Sequence, residues 1–208
     1  MTDDIITNYR EARARTREAL HRGVLDAASR ILVSEGFGAL TVRRVADEVG
    51  ASTKVIYTLF ENKEGLVNAL FMQGVQRLRA ALEAVPAHAS PLERLMALLN
   101  AYRQHALAYP NDYLIMYGLS LPDFRPTESA MQENMASWGF LIEALEAARD
   151  AGLLATGEVE SAGKILFALM NGMISLQLGG YLAEPDAARF FHDGVATILR
   201  GMASRPDG

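Results

Sequence analysis

The residues whose types and spacing could do chemistry are concentrated between Thr41 and Lys63. Val45, Ala46 and Val49 in one short apolar-periodic segment match Val55, Ile56 and Leu59 in a second, with Gly50 in the tight turn between them. Two short helices joined this way form a helix-turn-helix, whose second helix can enter the major groove of DNA while the first braces the backbone. With the apolar positions turned inward, Thr53, Lys54 and Thr58 remain as the outer face. Hydroxyls and an ammonium at such a face suit base edges and phosphates. Other chemistry is poorly supplied. The chain has no cysteine and four histidines, so it offers no thiolate nucleophile, no disulfide framework and no cysteine-containing zinc site. A His-x-x-x-His pair and a glycine-rich phosphate loop are both missing, and no metal or cofactor is expected.

The elements that must position these residues read as helical almost throughout. Leu20, Val24, Ala27, Ala28, Ile31 and Leu32 recur at helical spacing until Gly36 and Gly38. Thr41 can cap a second helix ending at Gly50, and Ser52 or Thr53 a third running to about Phe60. Asn62 can cap a fourth helix, with Leu66, Leu70, Val75, Leu78 and Leu82 inward. After a linker at 85–91, Ser90-Pro91-Leu92-Glu93 reads as a capping box for a helix reaching about Ala108. A short helix over 111–118, a loop over 121–126 and three helices over about 127–151, 158–182 and 186–201 complete an all-α chain of about nine helices.

The chain has 208 residues, half of them apolar, enough to bury a substantial core. Its net charge of −5 taken alone argues against a nucleic-acid partner. Divided at Pro86, however, the first part carries 12 basic and 11 acidic groups and the second 8 and 14. Arg10, Arg13, Arg15 and Arg17 fall in a basic arm ahead of the first apolar periodicity. The acidic start Met1-Thr2-Asp3-Asp4 leads into no run of signal-peptide type, so a cytoplasmic location is expected.

Thr41-Val42-Arg43-Arg44-Val45-Ala46-Asp47-Glu48-Val49-Gly50-Ala51-Ser52, continued by Ile56-Tyr57-Thr58-Leu59-Phe60-Glu61-Asn62-Lys63-Glu64-Gly65-Leu66, resembles the amino-terminal DNA-binding region of the TetR family of repressors. The likeness covers about residues 16–66. Lys54, Val55 and Leu59 depart from the family's usual small residue, threonine and histidine, which bears on the operator sequence. The resemblance implies that Arg43 reaches a base edge, where a guanidinium fork on guanine is worth roughly 1–3 kcal/mol of discrimination. It implies further readers in Thr53, Lys54 and Thr58, and phosphate contacts from Thr41, Ser52, Tyr57 and Lys63, with Arg44 beside them. The arginine arm would add backbone or minor-groove contacts. The division implied is a helix-turn-helix domain over 1–66 and a ligand-binding and dimerisation domain over 67–208.

The second part carries less of the family pattern. The run from Ala101 to Gly118 resembles a TetR subgroup marked by a tryptophan shortly before a His-Gly pair, with Phe167 and Asn171 replacing those residues before Gly172. Tyr102, His105, Tyr109, Tyr113, Met116, Tyr117, Trp138, Phe167, Met170, Asn171 and Gln177 are the candidate ligand-binding residues, with His105, Asn171 and Gln177 as polar handles. Tyrosine and methionine density suits an adaptable apolar cavity for a hydrophobic or aromatic molecule. The nineteen uncharged residues 165–183 approach a membrane span in length, yet Asn171, Ser175, Gln177 and several glycines interrupt them. They read instead as a helix buried on most faces, and the family resemblance implies a homodimer interface made by the last two helices, where the small Gly163, Ala168, Gly172, Ser175 and Gly179 would allow close approach. The expected function is a ligand-responsive homodimeric repressor released from a palindromic operator by a small effector. The alternatives are an all-α enzyme and a small-molecule-binding protein with a vestigial DNA head.

Overall fold

Helix α1, Thr2–Glu35, is 34 residues long, and only its second half has a core to join. Val24, Ala27, Ala28, Ile31 and Leu32 are buried, whereas residues 8–19 are exposed all round. The basic arm is therefore the first half of a continuous helix rather than a frayed extension. The structure, a computed structural model, describes residues 2–86, 90–118, 121, 124–154 and 159–203. Linker residues 87–89, loop residues 122 and 123, and the expected helix start at Glu158 lie outside the described residues.

Each short helix of the head stops for a local reason. Helix α2, Val42–Val49, opens with the Thr41 side chain accepting from the Arg44 amide, and ends at Gly50, whose φ of 65° puts it in the left-handed region. Helix α3, Thr53–Phe60, turns into α4, Lys63–Glu83, through Glu61 at φ 64° and an Asn62 cap that accepts from the Gly65 amide. Gly65 is indispensable to that turn, since a Cβ there would stand 2.1 Å from the Phe60 carbonyl oxygen.

Beyond α4 come α5, Pro91–Ala108, and α6, Pro110–Tyr113, which passes into a π-helical segment, Leu114–Gly118. Helices α7, Glu128–Asp150, α8, Val159–Leu178, and α9, Asp186–Gly201, follow. Two expectations are corrected. Ser90 makes no side-chain cap bond, so proline at the first turn of α5 acts without a capping box. The helix expected at 111–118 starts at Pro110 and widens into the π-helical segment after one turn.

Two apolar clusters share one element. Leu66, Val67, Leu70, Phe71 and Val75 of α4 belong to the cluster of α1–α3, which also takes in Ile115, Phe124 and Ala130. Leu78 and Leu82 of the same helix belong to the cluster of α5, α7, α8 and α9. Helix α4 is thus a rod with one end in each core. It crosses the π-helical segment where Gly74 lies so close that a Cβ would meet the Met116 sulfur at 2.8 Å.

Candidate nucleic-acid interface and ligand cavity

The polar face of α2 and α3 is open. Arg43, Ser52, Thr53, Lys54, Tyr57 and Thr58 are exposed, with Ile56 and Phe60 on the opposite side of α3 sealing it to the head core. Arg43 and Lys54 form no ion pair or side-chain hydrogen bond among the described residues. Tyr57 is 52 % exposed, its ring more open than a core residue's. Ser52 occupies the N-cap position of α3 without using its hydroxyl as a cap. Thr58 donates to the Lys54 carbonyl oxygen at 2.8 Å.

Three other candidates are engaged within the head. Thr41 caps α2, and Arg44 pairs with Glu35 at 3.3 Å. The Lys63 ammonium donates to the Phe37 carbonyl oxygen at 2.6 Å and lies 3.7 Å from the centroid of that ring. It pins the loop after α1 to the start of α4.

The first half of α1 adds something sequence periodicity did not show. Tyr9, Arg10, Arg13 and Arg17 form one wall of an open cleft of about 880 Å³, and Ser52, Lys54, Val55 and Thr58 of α3 form the other. Among the described residues no acidic side chain lines it.

An apolar cavity of about 500 Å³ lies between α4, α5, α7 and α8. Of the expected ligand residues, Tyr102, Tyr117, Trp138, Phe167 and Met170 line it. Tyr102 donates to Asn171 Oδ1 at 3.1 Å, and Tyr117 donates to Asn134 Oδ1 at 3.3 Å. Burial raises the Tyr102 hydroxyl far above the ordinary phenol range and pushes Tyr117 up to about 12, so both stay neutral.

The other six do not line that cavity. Tyr113 donates to the Asn171 carbonyl oxygen at 3.1 Å, and the Asn171 amide donates to the Phe167 carbonyl oxygen at 2.8 Å, so this pair braces α8 from behind. Gln177 accepts from the buried Arg103, which also binds Glu184 and keeps that carboxyl below its ordinary range. His105 and Tyr109 line a separate surface hollow with Arg77, and Met116 meets Gly74. The residues missed are Leu78, Leu82, Leu98, Leu99, Asn134, Met135, Ser137, Phe140 and Leu141, with Glu160 and Lys164 completing the lining. A serine on the apolar face of α7, beside Trp138, was the legible signal among them.

Gly163 also moves from the role expected of it. It is buried inside the chain, where a Cβ would meet Trp138 Cζ2 at 3.0 Å, so it seats the indole. The exposed stripe of α8 includes Ile165, Ala168, Gly172, Ser175 and Leu176, with Gly179 in the turn just beyond its end, while Leu166, Met170 and Ile174 face inward. Among the described residues no helix is long and apolar enough to cross a membrane, and no cluster could hold a metal ion.

Residues 24–70 match the family model described as bacterial regulatory proteins, tetR family, and residues 95–198 match the model described as tetracyclin repressor-like, C-terminal domain. The uncharacterized HTH-type transcriptional regulator YvkB of Bacillus subtilis (strain 168) is 21 % identical over 187 residues, covering 88 % of this chain and 97 % of its own. The tetracycline repressor protein class A from transposon 1721 of Escherichia coli is 28 % identical over 207 residues, covering 88 % of this chain and 89 % of its own. A solved protein of unknown function from Rhodococcus sp. RHA1 superposes with a TM-score of 0.75 at 28 % identity, covering 89 % of this chain and 96 % of that one.

Proposed function

The chain belongs to the tetR family of bacterial transcriptional regulators, and from that premise we propose that it is a homodimeric repressor that leaves a palindromic operator when a small hydrophobic or aromatic effector fills the α4–α8 cavity. One observation carries the reading. Helix α4 contributes Leu66, Leu70 and Val75 to the core beneath α3, and Leu78 and Leu82 to the cavity wall. A ligand that displaces the far end of such a rod must displace the near end.

In this reading residues 1–66 form the head and 67–208 the effector and dimer domain, acting in the cytoplasm. Arg43, Thr53, Lys54 and Thr58 read bases; Ser52 and Tyr57 hold phosphates. Thr41, Arg44 and Lys63 contribute chiefly by fixing α2 and α4. The first half of α1 lays Arg10, Arg13 and Arg17 beside the phosphate strand that borders the groove occupied by α3. Dimerisation through α8 and α9 covers the Ala168–Gly172 stripe and sets two α3 helices about 34–36 Å apart, the spacing of successive major grooves. By linkage, operator DNA weakens effector binding by the same factor as effector weakens DNA binding.

The test is a gel shift on DNA flanking the chain's own gene at several salt concentrations. A specific shift, weakening with salt and losing specificity in Arg43→Ala, is the expected result. No specific shift, with Arg43→Ala indistinguishable from the parent, would sink the reading.

A further inference from the structure

We infer that the cavity selects an uncharged ligand with an apolar, ring-sized body and one carbonyl oxygen, a ketone, ester or lactone, which the Ser137 hydroxyl and the Asn134 amide hold together. The inference rests on the cavity being the effector site and adds the ligand's chemistry to it.

Ser137 lines the cavity, is 7 % exposed, and its Oγ has no hydrogen-bond partner among the described residues. A hydroxyl so buried and left unbonded is costly, and the cost is relieved when a ligand supplies the missing partner. Asn134 sits three residues earlier on α7, on the same face, and also lines the cavity. Its carbonyl oxygen is already taken by the Tyr117 hydroxyl, which leaves the amide nitrogen as a donor. The Tyr102 hydroxyl is spent on Asn171. Among the described residues the neutral donors of the wall left without a partner are the Ser137 O–H, the Asn134 amide and the Trp138 indole N–H; the first two stand one helix turn apart on one face of α7, and such a pair asks for an acceptor oxygen.

The rest of the lining fixes the remainder of the ligand. Leu78, Leu82, Leu99, Phe167 and Met170 offer only apolar surface, and Trp138 closes one side. The ionised residues of the lining, Glu160 and Lys164, stand 3.7 Å apart and are both mostly exposed, so they neutralise each other. A carboxylate or ammonium entering the cavity would give up its hydration for a few neutral donors or none, an exchange that disfavours the ion. A carbonyl loses little on the same path.

The full chain is titrated calorimetrically with three matched probes, 2-acetylnaphthalene, 2-ethylnaphthalene and 2-naphthoate. Fluorescence of Trp138, the chain's single tryptophan, gives a second readout at the site. The ketone is expected to bind about tenfold more tightly than the hydrocarbon, in line with one or two net hydrogen bonds, and the carboxylate at least tenfold more weakly than the ketone. In Ser137→Ala, which deletes only an unbonded hydroxyl, the ketone and hydrocarbon should converge to within threefold while the hydrocarbon keeps its parental affinity. Equal binding of naphthoate and ketone overturns the inference, as does a ketone preference that survives in Ser137→Ala or a failure of all three probes to bind. The two readings fail separately. Ketone binding that leaves the gel shift unchanged supports the ligand chemistry and counts against the effector role. Release of DNA by naphthoate alone supports the role and overturns the chemistry.

Discussion

The Arg77 guanidinium and the Asp112 carboxylate meet at 2.9 Å and tie the connecting helix α4 to α6, with Asp112 almost fully buried and Arg77 partly open to solvent. The guanidinium also lies 4.9 Å from the centroid of the Tyr109 ring. Arg77→Met strands a buried carboxylate. Where both partners are buried such a loss costs 3–5 kcal/mol, and the exposure of Arg77 reduces it here to about 1–3 kcal/mol. Asp112→Asn keeps an acceptor for Arg77 and should cost less. The double variant Arg77→Met/Asp112→Leu should recover part of the loss, because neither charge is left alone. Urea denaturation of the parent, Arg77→Met, Asp112→Leu and the double variant closes the cycle; a double variant no better than Arg77→Met would count against a pairwise tie.

His105 stands behind that pair, its ring 5.4 Å from Tyr109 and its Nε2 buried without a partner among the described residues. Burial lowers its pKa first, Arg77 on α4 lowers it further, and Asp112 on α6 opposes both. The native state therefore binds the proton less readily than the unfolded chain, whose imidazole titrates near 6.5. Stability from this group is present above that value and falls as the pH drops through it, because the unfolded state gains its proton first. Thermal midpoints measured from pH 7.5 to 5 should decline, and the decline should flatten in His105→Gln. Glu184, held low by Arg103, loses its share only in the more acidic carboxylate range, which separates the two effects.

Legibility in the sequence followed how local the cause was. The head could be read almost to the residue because Thr41, Gly50 and Asn62 terminate helices through their own side chain or lack of one. The cavity could be read only by residue type. Tyr102, Trp138 and Phe167 reach it, whereas Tyr113 bonds to Asn171 and Gln177 to Arg103, and that depends on how α5 and α8 rotate during packing. Gly163 shows the same limit. Its small size was plain, but which side of α8 needed it depended on where Trp138 came to rest. The length of α1 was missed because an exposed helix has no apolar periodicity to reveal it.

Arg10, Arg13 and Arg17 carry their charge on that exposed half of α1, beside Lys54 on α3. Replacing all three with glutamine preserves helix propensity and removes only charge. If they face phosphates, the dependence of log K on log salt should become shallower by about five units for the dimer, which loses six such contacts at roughly 0.9 each on duplex DNA. The preference for operator over random DNA should persist, since phosphate contacts position without reading. An unchanged salt slope would show that the first half of α1 points away from DNA.

Ala168 and Gly172 lie on the exposed stripe of α8, and a Cβ built at Gly172 meets nothing within 4 Å. Ala168→Glu therefore leaves the folded monomer undisturbed, and its far-ultraviolet circular dichroism should match the parent's. At a subunit interface the same carboxylate is taken out of water once on each protomer with no cation to pair with, so two charges must be desolvated uncompensated. Sedimentation should show the mass falling from twice 22.7 kDa to 22.7 kDa. Because a palindrome is gripped by two heads at once, operator affinity should fall by about a hundredfold or more, within the range by which linkage of two sites raises avidity. Ala168→Ser at the same position should keep both the dimer and the affinity. A monomeric parent, or a dimeric Ala168→Glu, would move the interface elsewhere on the chain.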